Sequence, residues 1–129
     1  ITHYRFLCSV VLIFTLIALL FIPSSDKVIE LSKNLDKIPI KTFQNCTSLA
    51  RLELLQPIET QVAVWIGCSA LTTLILRGNT VSILSSPNCF TRTPIADGTG
   101  YIYVPDNLVN SYKTATNWNY FSSYFISLL

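Results

Sequence analysis

Four cysteines and a single histidine are the residues of this chain best suited to metal or nucleophilic chemistry, and their arrangement supports neither. Cys8, Cys46, Cys68 and Cys89 include no Cys-x-x-Cys pair, and no histidine accompanies them as a fourth ligand, so a zinc centre is not expected. His3 has no serine or aspartate partner in view that could complete a nucleophile–base pair. The acids Asp26, Glu30, Asp36, Glu53, Glu59, Asp97 and Asp106 are scattered, whereas glycoside hydrolysis needs two carboxylates at a set separation in a cleft. Gly67, Gly78, Gly98 and Gly100 build no phosphate loop, and turns account for them. The reading is therefore non-enzymatic: no catalytic residues, no metal ligands and no cofactor.

Composition agrees with a structural or binding role. Hydrophobic residues make up 50% of the 129-residue chain and charged residues 12%, against roughly 25% charged in an ordinary soluble domain. That excludes a disordered tail, which needs few apolar residues and much charge. Nine basic and seven acidic residues give a net charge of +2, with no basic block to serve as a nucleic-acid footprint.

The apolar excess is uneven. Residues 6–25 carry no charge, and Phe6 to Ile22 is almost wholly apolar before Pro23, Ser24 and Ser25 interrupt it. Seventeen helical residues reach roughly 25 Å, near the lower limit for crossing a bilayer. A buried core helix is the alternative, but the run has no polar face. Residues 1–25 are read as a hydrophobic membrane or signal-like helix, with residues 6–22 in the bilayer and no good signal-cleavage pattern after them. Orientation stays open. Arg5 alone among the charged residues precedes the run, while Lys27, Lys33, Lys37 and Lys41 follow it, and that count places the C-terminal part inside the cell. Display at a cell surface, or secretion, requires more positive charge on the N-terminal side.

A repeat organises the rest. Residues 43–54, Phe-Gln-Asn-Cys-Thr-Ser-Leu-Ala-Arg-Leu-Glu-Leu, align without gaps on residues 65–76, Trp-Ile-Gly-Cys-Ser-Ala-Leu-Thr-Thr-Leu-Ile-Leu. The offset of 22 (43 to 65) falls within the period of leucine-rich repeats. Alternation in Leu52-x-Leu54 and Leu74-x-Leu76 points the leucines into a coil and Arg51, Glu53, Thr73 and Ile75 outward, as strand geometry requires. Leu49 and Leu71 enter the same core, and Phe43 and Trp65 fill its far side. Ile29-Glu30-Leu31 reads as a weaker strand upstream. Tyr101 to Val104 reads as a final strand after a turn built by Thr93-Pro94 and Asp97-Gly98-Thr99-Gly100. Four strands are expected, stacked in parallel because one coil cannot bury its own apolar face. After them, Pro105-Asp106 starts a helix that Asp106 caps, with Leu108, Val109 and Tyr112 on one face and Thr114, Thr116 and Asn117 stopping it. The aromatic tail from Trp118 onward covers the last coil.

Phe-x-Asn-Cys-Thr-Ser-Leu at 43–49 and Gly-Cys-Ser-Ala-Leu-Thr-Thr-Leu at 67–74 resemble the BspA-type leucine-rich repeats of bacterial surface proteins, and residues 93–105, with Leu108 to Lys113 and Asn117-Trp118, resemble the segment that closes such arrays. The array is much shorter than is usual there, and Trp65 stands where phenylalanine is customary. The resemblance implies a solenoid, and together with the apolar run and the residues after Val104 the expected fold is α/β: a short leucine-rich-repeat solenoid of three to four coils with parallel strands over residues 26–104, an N-terminal hydrophobic helix in residues 1–25 and a C-terminal capping helix within residues 105–129. It implies a partner that is a protein or other surface macromolecule and no catalysis, and the lack of a basic block already speaks against nucleic acid. It also implies a bacterial source, in which the formal glycosylation sequon Asn45-Cys46-Thr47 has no meaning, and Asn45 is then expected to hydrogen-bond backbone in its turn.

Two expectations concern the site. Cys46 and Cys68 lie in register on neighbouring coils, close enough in principle for a disulfide, and are read as buried free thiols. Arg51, Glu53, Thr73, Ile75, Tyr101 and Tyr103 form the candidate binding face. The competing reading makes the chain a terminal cap or spacer of a larger adhesin or phage-encoded repeat protein.

Overall fold

The computed structural model describes Lys37, Ile38 and residues 42–128. The apolar run at 6–25, the strand expected at Ile29–Leu31, His3 and Cys8 lie outside the described residues. Among those described, no helix is long and apolar enough to cross a membrane.

The fold is mixed α/β with two parallel sheets. The larger holds β2 (Arg51–Leu54), β4 (Thr73–Leu76), β6 (Tyr101–Pro105) and β7 (Phe125–Leu128), in that spatial order. The smaller holds three two-residue strands, β1 (Lys37–Ile38), β3 (Glu59–Thr60) and β5 (Ile83–Leu84). Pairing follows the repeat. Arg51 lies opposite Thr73 and Leu54 opposite Leu76, an offset of 22 (51 to 73), and Lys37 lies opposite Glu59 at the same offset (37 to 59). A further row of backbone bonds joins the aromatic segments: Phe43 N–H to Val64 C=O at 3.0 Å, Asn45 N–H to Ile66 C=O at 2.8 Å, and Gly67 N–H to Thr91 C=O at 2.9 Å.

Register decides what is buried. Leu52, Leu74, Ile102 and Phe125 occupy one inward row of the larger sheet, with Leu54, Leu76 and Val104 in the next, and all are buried. Ile38, Thr60 and Leu84 make the matching buried row of the smaller sheet. Phe43, Trp65 and Phe90 fill the core from the aromatic segments, and the rings of Trp65 and Phe90 stack with centroids 4.9 Å apart.

The turns between segments impose their own residue choices. Asn45, Gly67 and Arg92 each stand two positions after an aromatic residue, and each takes a positive φ of 61°, 80° and 61°. Asn and Gly adopt that conformation readily; arginine does so at a cost. Between β5 and β6 the chain lengthens to an offset of 28 across the larger sheet (73 to 101). The residues expected to form a plain turn there include a one-turn helix, α1 (Pro94–Asp97). The Thr93 hydroxyl caps it by accepting from Ala96 N–H at 3.3 Å, and Gly98 ends it at φ 85°.

The C-terminal segment departs from expectation in two ways. Tyr101–Pro105 is not the final strand: β7 pairs with β6 in parallel, Ile102 opposite Phe125, and the segment intended purely as cover contributes a strand of its own. Asp106 does not cap a helix. Pro105 belongs to β6, a 3-10 turn spans Asp106–Leu108, and α2 (Val109–Thr114) follows without a side-chain cap. The Asp106 carboxylate instead accepts from the Ser127 hydroxyl at 2.8 Å, because β7 brings that hydroxyl alongside it. The helix does stop at Thr114.

The outer edge of β5 is closed by side chains instead of a strand. Ser82 N–H donates to the Tyr112 hydroxyl at 2.8 Å, Trp118 Nε1–H donates to Ser82 C=O at 2.8 Å, and Asn117 Nδ2–H donates to Leu84 C=O at 2.6 Å. Tyr112, Trp118, Phe121 and Phe125 bury their rings against Phe90 and one another.

Two predictions follow from this packing. Tyr112→Phe keeps the ring but leaves the buried Ser82 N–H without its acceptor, which costs about 1–3 kcal/mol. Urea denaturation reads this as a lowered midpoint, while Tyr120→Phe, on a side chain 70% exposed, leaves the midpoint unchanged. Among the glycines, a Cβ on Gly67 lands 2.1 Å from the Asn45 Oδ1 atom, which can swing aside, and strains a positive φ; on Gly78 it lands 2.5 Å from the Pro57 backbone nitrogen, which cannot. Gly67→Ala should cost about 1 kcal/mol from its backbone conformation. Gly78→Ala should cost more, about 2–3 kcal/mol from overpacking, and the reverse ranking in the same assay would contradict the packing described.

Candidate binding face

The outward residues of the larger sheet form two rows. Arg51, Thr73 and Tyr101 are register partners in one, and Glu53, Ile75, Tyr103 and Ile126 in the other. Strand geometry sets neighbouring strands about 4.8 Å apart and same-side residues on one strand about 6.6–7 Å apart.

Five of the six expected face residues retain some exposure; Ile75 does not. Its exposure is 5%, so it is buried despite its outward parity, although it lies outside the core formed by Leu74 and Leu76. It sits in the middle of its row, between Glu53 and Tyr103, and Arg77 reaches across beside it to pair with Glu53. The face is therefore divided. At one end Glu53 pairs with Arg51 at 3.3 Å and with Arg77, forming a compact ionic cluster around a largely buried carboxylate. At the other end stand Tyr101, 44% exposed, and the half-buried Tyr103. Arg77 was not anticipated as a face residue. It directly follows the end of β4, where its N–H still bonds Leu54 C=O at 2.8 Å, so strand parity carried one residue past Leu76 could have found it.

A second surface lies on the smaller sheet. Lys37, Glu59 and Ile83 are register partners there, with Lys37 and Glu59 at 4.0 Å. They border a shallow depression of about 330 Å³ completed by Pro57, Ile58, Thr80, Val81 and Ser82.

The cysteines do not form a column of free thiols. Cys46 is disulfide-bonded, whereas Cys68 and Cys89 are free and buried, so Cys68 is not its partner. The Cys68 thiol donates to Phe43 C=O at 2.9 Å and the Cys89 thiol to Gln61 C=O at 3.2 Å. Burial pushes Cys68 up to about 12, against a smaller opposing effect from a hydrogen bond to the Cys46 backbone. Burial likewise raises Cys89 and the Tyr112 phenol. Burial and a raised pKa make the two thiols poor nucleophiles at neutral pH, because attack requires the thiolate. Among the described residues, no group of three or more histidine, cysteine and acidic side chains could hold a metal ion.

The raised thiol has a consequence for stability. The unfolded chain releases the Cys68 proton near the ordinary value of 9.0, whereas the folded chain keeps it until about 12. The folded state binds more protons between those limits, so stability is fully present below pH 9.0 and falls as pH rises through the interval. Cys89 and Tyr112 act in the same direction. The urea midpoint should hold steady up to about pH 8 and decline by about pH 10.5; a midpoint constant over that range contradicts buried, protonated thiols.

No family model, no curated protein and no solved structure matches this chain, so any reading of its function rests on the face and the repeat themselves.

Proposed function

We propose that residues 26–104 form a short leucine-rich-repeat solenoid of BspA type, closed by residues 105–129, and that it acts without catalysis as a binding module for a protein or other surface macromolecule. The hydrophobic run at residues 6–22 would tether it, at a cell surface in this reading. The observation that carries the proposal is the in-register alignment of outward side chains: Arg51, Thr73 and Tyr101 in one row, Glu53 and Tyr103 flanking Ile75 in the other. Aligned side chains on a rigid parallel ladder are how repeat arrays present extended binding surfaces. Tyrosine and arginine are the residues that most often anchor interfaces. The successive pairings at 22 (51 to 73), 28 (73 to 101) and 23 (102 to 125) residues support stacked coils, two of similar length and a longer one that contains α1.

The test is the double variant Arg51→Ala with Tyr103→Ala. Arg77 still pairs with Glu53 and the backbone ladder is untouched, so far-ultraviolet circular dichroism should stay that of the parent chain, while the urea midpoint falls modestly with the lost Arg51–Glu53 pair. Pull-down of surface macromolecules from the source cells by the full chain should weaken by about tenfold or more, the loss expected when anchor side chains are truncated. Undiminished capture by the folded variant removes this face from consideration.

A further inference from the structure

Asn45-Cys46-Thr47 is the only Asn-x-Ser/Thr tripeptide of the chain, although eight asparagines are present. The structure sets it in the turn before β2. Its backbone is engaged there: Asn45 N–H donates to Ile66 C=O at 2.8 Å, Thr47 N–H to Asn45 C=O at 2.9 Å, and Leu49 N–H to Cys46 C=O at 3.1 Å. The side chains at its two ends are not. Asn45 and Thr47 are exposed, and among the described residues neither the Asn45 amide nor the Thr47 hydroxyl makes a hydrogen bond. The bond to backbone expected of Asn45 is made by its own N–H, which leaves the side-chain amide free. Gly67, on the neighbouring turn, keeps room for that amide, since a Cβ there would land on the Asn45 Oδ1 atom. Between the two exposed residues, Cys46 is buried and disulfide-bonded.

Resting on the proposed membrane tether, we infer that Asn45 is an N-glycosylation site and that the repeats stand on the non-cytoplasmic side of the membrane. Three observations converge on this. The acceptor tripeptide is a surface turn with a free amide at one end and a free hydroxyl at the other, the two groups a transferase must engage. The uncharged run at residues 6–25 is the part of the sequence that would bring the chain to a membrane. The disulfide at Cys46 decides the side: the cytosol keeps thiols reduced, and oxidised pairs form in the secretory lumen or outside the cell. The lysines after the run favour the opposite orientation, but that is a statistical bias, whereas a disulfide is a covalent record of the compartment. In the transfer, the Asn45 Nδ2 atom bonds to the anomeric carbon of an oligosaccharide carried on a lipid pyrophosphate. The carbon–oxygen bond to the pyrophosphate breaks, its electron pair leaves with the lipid pyrophosphate, and the amide proton passes to a base of the transferase. This departs from the bacterial source that the resemblance implies, though not from the repeat itself.

The experiment has two parts. The mature chain is purified from its source cells and treated with peptide N-glycosidase in water labelled with heavy oxygen. Its mobility on a denaturing gel should increase, and mass spectrometry should find a labelled aspartate at position 45; an unmodified Asn45 in that chain overturns the inference. The full chain is also translated in the presence of microsomes. One glycosylated species is expected, lost completely in Asn45→Gln and in Thr47→Ala and retained in Thr47→Ser, which keeps the hydroxyl, and in Asn88→Gln, which lies outside any acceptor tripeptide. Glycosylation that persists in Asn45→Gln overturns the assignment. Protease added outside the same microsomes separates the remaining failures. A protected but unglycosylated chain removes the site and leaves the tether; a membrane-bound chain that the protease digests removes the orientation; a chain that does not sediment with the membranes removes the tether and the inference with it. The Arg51→Ala, Tyr103→Ala pull-down tests the binding face independently of all three.

Discussion

Parallel pairing in register is the constraint on which the rest of this structure depends. Once Leu52 lies opposite Leu74 and Leu74 opposite Ile102, every side chain on those strands is assigned to the core or to the outer face, because a slip of one residue would exchange the two. The aromatic segments repeat the arrangement, with Phe43 N–H bound to Val64 C=O and Trp65 N–H to Cys89 C=O. A connection between paired strands that varies in length must absorb the change without disturbing that register. The stretch before β6 does so with α1, held by the Thr93 hydroxyl between Phe90 C=O at 2.6 Å and Ala96 N–H at 3.3 Å. The inserted turn adds length outside the ladder, and β6 still meets β4 in step.

Parts of this were legible in the sequence and parts were not, for physical reasons. β2 and β4 could be read because two copies of one pattern carry the same inward leucines and aromatic markers. The smaller sheet could not: its strands are two residues long, too short for any alternation to register. β7 was hidden because Phe-Ile-Ser-Leu follows an aromatic stretch with no Cys or Leu marker of the repeat, and its pairing with β6 is specified by the tertiary contacts of α2 and the residues after it. Its existence then redirected Asp106, whose carboxylate found the Ser127 hydroxyl instead of a helix terminus. The positive φ shared by Asn45 and Gly67 was encoded by residues that favour it, while the equivalent Arg92 carries no such signature.

The candidate face shows the same division. Strand parity placed Arg51, Glu53, Thr73, Tyr101 and Tyr103 on one side correctly. It misjudged Ile75, because parity gives the direction of a side chain and not what its neighbours cover. Ile75 holds a central row position with Glu53 and Tyr103 as its register neighbours and the Arg77–Glu53 pair on the same face, and it is buried there. Such burial is informative in itself. An outward isoleucine left bare would be an apolar liability on an open sheet, and its 5% exposure removes that liability at the point where the ionic cluster and the tyrosines meet in register.

The two sheets end differently, and the difference bears on how the face is held. The open edge of β5 is satisfied by Tyr112, Asn117 and Trp118, three side chains delivered by α2 and the segment that follows it. That same segment continues into β7, which extends the larger sheet beside β6. One stretch of chain therefore closes the smaller sheet and flanks the strand that bears Tyr101 and Tyr103. Because β6 is paired on both sides, by β4 and by β7, its backbone is fixed along the positions that carry the two phenols. An edge strand would leave those rings on a backbone free to fray; a central one presents them at a set spacing, so a ligand that engages both need not bear the entropy of ordering the strand beneath them.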